Sequence, residues 1–348
     1  MKWSLFFSAF LATIGVAQAG EPAALFGNVG HSEVPWTAAR PDGHAPIGVM
    51  QDHAHSTGEV MVGFRYRATE MRGLGNGVDH VSEVEALDTY QLAPRSMHMS
   101  MYGLSLMWAP VDFVTLMGMT AFANLEMENG TSSLGTFNTT ASGIADTQVT
   151  TIWRLLRLPR QQLLLNLGMS IPTGSIDKTD HTPRGPDTPL PYPMQLGSGS
   201  FELLPGATYV GQTFDYSWGA QVLADFRLGK NDRHWRRGHA VSLTAWFAYR
   251  FSNWMSTSGR LAYDHSGNVA GADPALNPLM SPAANPDRQA RHRIAALLGA
   301  NLYIPKAPLR DLRFAIEAGF VPFQSLFGTQ LKTATLFTAG IQYGFAAY

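Results

Sequence analysis

The chain has 348 residues, with 15 Met, 11 His and no Cys, a formal net charge of −1 and only 15% charged residues. Without a basic footprint, nucleic acid is not an expected partner, and without Cys there is no disulfide framework. A hydrophobic content of 45% suits a soluble globule or a membrane protein equally, so the solvent must be read from periodicity.

Residues 1–19 read as an export signal: Lys2 supplies the positive end, Leu5 to Val16 the apolar stretch, and Ala17-Gln18-Ala19 a small-residue cleavage site. No later stretch has the roughly 20 consecutive apolar residues of a membrane helix, so any spanning elements must be strands. Residues 20–57 are rich in Gly, Pro, Ala and His without sustained alternation, which predicts a periplasmic arm or plug.

From Gly58 the pattern changes to period two. Val60, Val62, Phe64, Tyr66 and Ala68 fall on one side, and Glu59, Met61, Gly63, Arg65 and Arg67 on the other. One charged and one apolar face call for lipid outside and a wet lumen inside. The texture recurs at Met101–Trp108, Phe113–Asn124, Asp146–Leu155, Leu163–Ile171, Phe201–Tyr209, Tyr216–Leu228, Val241–Arg250, Met255–His265, Arg293–Ile304, Leu312–Val321 and Thr335–Phe345. These predict an all-β, transmembrane outer-membrane barrel of about 12 antiparallel strands over residues 58–348. Short links at Ala109–Asp112, Leu156–Gln161, Gly211–Asp215, Phe251–Asn253 and Pro305–Arg310 alternate with long ones at Thr69–Ser96, Leu125–Ser142, Pro172–Ser198, Gly229–Gly238, Ser266–His292 and Pro322–Leu331. Such barrels turn tightly on the periplasmic side and loop widely outside, which puts both termini in the periplasm. Trp108, Trp153, Tyr209, Tyr216, Trp218, Tyr249 and Tyr263 are candidates for interfacial girdles. Thr338, Gly340, Tyr343 and Phe345, close to the terminal Tyr348, resemble the signal that outer-membrane barrels present to their assembly machinery, an expected partner alongside outer-membrane lipid.

Candidate functional residues fall into three groups. The lumen and selectivity group comprises Arg65, Arg67, Arg154, Glu202, Asp225, Arg227, Arg250, Arg260, Arg293, Arg313 and Glu317, with Asp146 and Asp264 beside them. Such charges pair across strands or, where guanidinium groups stay unpaired, favour anionic solutes. Met99, Met101, Met117 and Met119 come from one hairpin and are expected as an inward thioether patch beside Ser105, either as apolar lining or as soft-metal ligands. Asp52, His53 and His55 follow His31 and His44; in a strand, His53 and His55 would point to one side, as a divalent-metal motif needs. The Pro-rich stretch Pro172–Pro193 is stiff and folds either inward as a constriction or outward as a cell-surface cap.

Catalysis is not expected. A phospholipase-type barrel needs Ser and His two apart on one strand face, but His265 and Ser266 are adjacent and so face opposite ways. No G-x-S-x-G, Walker or zinc-protease pattern occurs.

Several stretches together resemble a family of outer-membrane transporters labelled "MetA-pathway of phenol degradation". They are Pro46-Ile47-Gly48-Val49-Met50 leading to Asp52-His53-Ala54-His55, then Ser142-Gly143-Ile144-Ala145-Asp146-Thr147, Pro172-Thr173-Gly174-Ser175, Gln195-Leu196-Gly197-Ser198-Gly199 and Ile316-Glu317-Ala318-Gly319. Ala145 stands where the pattern has Gly. The resemblance implies the barrel already read from the residues and a link to aromatic compounds, with no ligand residues to carry over. The reading is a monomeric outer-membrane channel or transporter for a small solute, aromatic or anionic, with no cofactor. A copper-binding or copper-transporting barrel using Met and His, and a structural or adhesive barrel, are the alternatives.

Overall fold

A computed structural model describes residues 36–131 and 135–346. The signal peptide read at residues 1–19 lies outside them. In chain order the elements are β1 (Glu59–Gly77), β2 (Asp79–Val81), a helix α1 (Glu83–Thr89), β3 (Leu92–Val111), β4 (Val114–Thr131), β5 (Gly135–Ile144), β6 (Thr147–Leu158), β7 (Gln161–Ile171), β8 (Thr179–Thr182) and β9 (Gly185–Pro189). There follow β10 (Glu202–Gln212), β11 (Tyr216–Arg227), β12 (Trp235–Arg236), β13 (Ala240–Arg250), β14 (Met255–Ser266), β15 (Ala270–Gly271), β16 (Arg291–Tyr303) and β17 (Leu312–Ala346).

Eleven of these strands form one closed antiparallel ring in the order β1, β3, β4, β6, β7, β10, β11, β13, β14, β16, β17, with β17 returning to β1. An antiparallel ring closes only with an even number of staves, and β17 resolves the parity. Its first half pairs with β16 from Arg313 to Leu326, and its second half pairs with β1 from Leu331 to Ala346. The ribbon therefore doubles back near Gly328, where φ is +100°, a backbone state that glycine adopts without steric penalty. The wall has twelve staves.

Strand parity sorts the side chains. Tyr102, Leu104, Leu106 and Trp108 of β3 are exposed on the outer face, while Met97, Ser105, Met107 and Ala109 are buried inward. In β13, Leu243 and Phe247 face out while Trp246 and Ala248 face in. Trp108, Trp153, Tyr209, Tyr216, Tyr249 and Trp254 are exposed close to the short-turn end of the wall, the depth at which amphipathic rings settle.

Three expected loops are ordered differently. The link Thr69–Ser96 is largely strand, because β1 and β3 run on to Gly77 and back from Leu92, and α1 joins them under a Ser82–Glu85 capping box. The link Leu125–Ser142 is the β4–β5 ribbon, and Pro322–Leu331 is the hairpin of β17. In the first two, polar residues alternate with small or buried apolar ones, so pairing persists without an apolar outer face, whereas the β17 hairpin still exposes Phe323 and Phe327. Asp146, read as a lumenal strand residue, instead occupies the break between β5 and β6. Its carboxylate accepts from the Gly174 and Ser198 backbone N–H groups at 2.9 and 2.7 Å and from Ser198 Oγ at 2.9 Å. The segments around Ala145, Thr173 and Gly197 are thereby knotted together at the outer rim.

The strand assignment makes a two-sided prediction. Leu243→Arg should cost about 2–4 kcal/mol if it lies near the bilayer midplane, whereas Thr244→Arg, on the lumenal face, should cost markedly less. Refolding stability in detergent or lipid measures both; equal costs would mean that the faces are exchanged.

Candidate functional site

The residues before β1 do not form a strand. Trp36 to His55 run through the interior, with nearly all their side chains buried. Irregular backbone at this depth must find partners inside the barrel, and the wall supplies them. Arg313 donates to Arg40 O at 2.8 Å and also to Ala38 O. Ser217 donates to Asp42 O at 2.7 Å, Gln221 to Met50 O at 2.7 Å, and Arg154 to Ala54 O at 2.8 Å. His55 N–H donates to Thr115 Oγ1 at 2.9 Å. Arg40 is held by Asp42 and donates to the carbonyls of Thr213 and Phe214, tying the segment to a short turn.

Close approach explains two glycines. A Cβ on Gly48 would collide with Arg260 and Glu317, and one on Gly340 would come within 2.9 Å of Ile47 Cδ1. The arm thus seats Gly48 on an ion pair and Ile47 on the terminal stave.

Of the expected lumen charges, most are engaged. Arg260 grips Glu317 bidentately at 2.8 and 2.7 Å, with Glu317 fully buried. Arg227 pairs with Glu202 at 3.0 Å and reaches Asp225 at 3.5 Å, and Arg293 pairs with Asp264 at 3.0 Å. Arg154, Arg250 and Arg313 lie at the short-turn end. Two of them bind the arm, while Arg250 approaches Asp215 at 3.8 Å. Arg65 abuts the Met50 sulfur. Arg67 differs: among the described residues it makes no ion pair or hydrogen bond, and the acids nearest it, Asp264 and Glu317, are held by Arg293 and Arg260.

Above the arm is a chamber of about 450 Å³ lined by Arg65, Arg67, Met101, Met119, Asp225 and Arg293 among others. Towards the outer loops a separate cavity of about 230 Å³ is lined by Met71, Met97, Met99 and Met127 together with Arg227, Arg237 and Arg291. The Pro-rich stretch folds inward here, with Leu190, Met194 and Leu196 packed against Met71, Met97 and Met127. Tyr192, Trp235 and Val269 join three outer loops in one apolar cluster, and Arg233 bridges Asp177 and Asp273.

The expected methionine quartet is divided. Met99 and Met101 pack with the outer group, whereas Met117 belongs to a lower group with Met61 and Met107, against which Met119 rests. The reason is register: Met101 lies opposite Ala123, and Met119 opposite Ser105, so the two pairs sit at different heights.

His53 and His55 are close, though not through strand parity. The segment folds back, so that the Ala45 N–H donates to Asp52 Oδ2 at 2.7 Å, and Gln51 takes φ of +59°. His44, absent from the expected set, stacks on His53 at 3.9 Å, and His53 meets His55 edge-on at 4.9 Å. Only the Gly48 turn between them hinted that residues eight or nine apart would meet.

The seat suggests a direct test. Gly48→Leu cannot be accommodated over the Arg260–Glu317 pair and should release the arm while leaving the wall intact. Limited proteolysis should then cleave within residues 36–57 at least ten times faster than in the parent, with heat-modifiable gel mobility unchanged.

The family model described as "MetA-pathway of phenol degradation" matches residues 80–292. That span takes in the Asp146 knot but not the Pro46–His55 or Ile316–Gly319 stretches. No curated protein matches the sequence. Among solved structures, the COG4313 outer membrane channel from Pseudomonas putida F1 is similar, with a TM-score of 0.60 and 13% identity over 84% of this chain and 97% of that one. A Pseudomonas aeruginosa FadL homologue aligns over 88% of this chain and 93% of that one, with 11% identity and a TM-score of 0.42. The first likeness supports the outer-membrane barrel fold. With well over half of its length matched by the family model, the chain belongs to the MetA-pathway of phenol degradation family.

Proposed function

We propose that this protein is an outer-membrane channel for small organic anions with an apolar body, aromatic carboxylates among them. The observation that carries the reading is Arg67, an unpartnered guanidinium exposed in a chamber whose other surfaces include the Met101 and Met119 thioethers. A carboxylate would find a charge-assisted partner in Arg67, and an aromatic ring would find polarisable sulfur contacts. The volume of about 450 Å³ falls within the roughly 300–1,000 Å³ of small-molecule sites.

In this reading residues 36–57 are a plug. They close the chamber towards the periplasm, and the Pro-rich loop narrows it towards the outside. Passage then requires the arm to move, since the wall carries the arm's hydrogen bonds in the closed state. The ring has no open strand edge that calls for a partner chain, so we infer a monomer, inserted by the barrel assembly machinery through its terminal stave.

Binding and uptake test the proposal. Benzoate should bind the detergent-folded protein and enter proteoliposomes in preference to benzyl alcohol. Arg67→Gln should weaken benzoate binding by about tenfold or more, as loss of a hydrogen bond to a charged group worth about 1.5–3 kcal/mol requires, while leaving benzyl alcohol unchanged. Equal handling of acid and alcohol by the parent would refute the anionic assignment, and a barrel that neither binds nor passes either would favour a structural role.

A further inference from the structure

A second constellation lies inside the arm and is not used by the proposed channel. His44, His53 and His55 are each buried, with at most 8% of their surface exposed, and each presents one buried ring nitrogen without a hydrogen-bond partner: His44 Nδ1, His53 Nε2 and His55 Nε2. Burying an unpaired polar atom is unfavourable, and three such atoms in one cluster call for a common partner. Ligand atoms of His44, Asp52 and His53 all lie within 4.8 Å of one another. His53 Nδ1 faces Asp52 Oδ1 at 2.9 Å, which places the ring proton on Nδ1 and leaves Nε2 with its lone pair, the carboxylate–histidine arrangement that orients metal-bound imidazoles.

We propose that His44, His53 and His55, with Asp52 as the carboxylate that orients the His53 ring through Nδ1, form a site for a divalent transition cation of the Zn²⁺ or Cu²⁺ class. Imidazole donors suit these ions, whereas Mg²⁺ and Ca²⁺ require mostly oxygen. Zinc–nitrogen bonds of about 2.0–2.1 Å require the cluster to contract slightly, which side-chain rotation within the arm permits.

The site also has a mechanical consequence. His44 and His53 bracket the turn that seats Ile47 and Gly48 on the wall. A bound ion would cross-link the two sides of that turn and hold the arm in its closed form.

The full-length, detergent-folded protein can be titrated calorimetrically with Zn²⁺, Cu²⁺ and Mg²⁺. One Zn²⁺ or Cu²⁺ per chain should bind, and no Mg²⁺. His44→Gln and His53→Gln should each weaken binding by more than the roughly 10–100-fold that an outer-shell partner is worth, whereas His80→Gln, at an exposed position of β2, should change nothing. Heat-modifiable mobility checks that each variant remains a folded barrel. Co²⁺ added to the unmodified protein should give the intense visible absorption of a four-coordinate site, a readout independent of any variant. Absence of stoichiometric Zn²⁺ or Cu²⁺ binding, a colourless Co²⁺ complex, or binding indifferent to His44 and His53 would each overturn the proposal.

Discussion

Every peptide group in this molecule that lies at membrane depth must be paired without help from lipid, and both halves of the architecture follow from that constraint. The wall meets it by closing on itself. Twelve staves satisfy one another because β17 turns at Gly328 and delivers its second half to β1. The arm cannot meet it alone, since it is neither helix nor strand. Arg154, Ser217, Gln221 and Arg313 therefore donate to its carbonyls. Polar wall residues at these heights anchor the arm as well as wetting the lumen.

Once the arm occupies the lower lumen, the remaining space is graded. Methionines and the inward-folded Pro-rich loop give the outer cavity a soft, apolar side, although Arg227, Arg237 and Arg291 also line it, and the chamber nearer the arm is charged. Most of its charges neutralise one another in pairs such as Arg260–Glu317. Removing one partner of a buried pair like this typically destabilises by about 3–5 kcal/mol, so these groups are committed to holding the wall and the seat of Gly48. Among the described residues Arg67 has no such partner, and the proposed contact with solute is assigned to it for that reason.

The wall was readable in the sequence because period-two alternation records which side of each strand meets lipid. Val62 and Phe64 against Gly63 and Arg65 is enough to assign two faces, and the short and long links fix direction. Strand ends were less legible. Beyond the lipid zone β1, β3 and β4 lose their apolar outer face while continuing to pair, so Thr69–Gly77 looked like loop. Lumenal contacts depend on register, which alternation does not encode, so the pattern alone places Met99 with Met119 although they sit at different heights. The arm was the least legible part. No periodicity brings His44 to His53; a turn seated on Arg260 and Glu317 does. Likewise, the Asp146 stretch carried the family resemblance without revealing that its carboxylate ties three outer segments together.

The central claim is that residues 36–57 occupy the lumen and control passage through it. Because the chain contains no Cys, a single engineered pair addresses this cleanly: Ile47→Cys on the arm with Gly340→Cys on the terminal stave, where a Cβ would come within 2.9 Å of Ile47 Cδ1. In intact outer membranes a short, reducible thiol cross-linker should join the two nearly completely, the cross-linked protein should pass no solute, and reduction should restore passage. Independent labelling of both thiols by a water-soluble maleimide, with no cross-link and unchanged flux, would contradict the account.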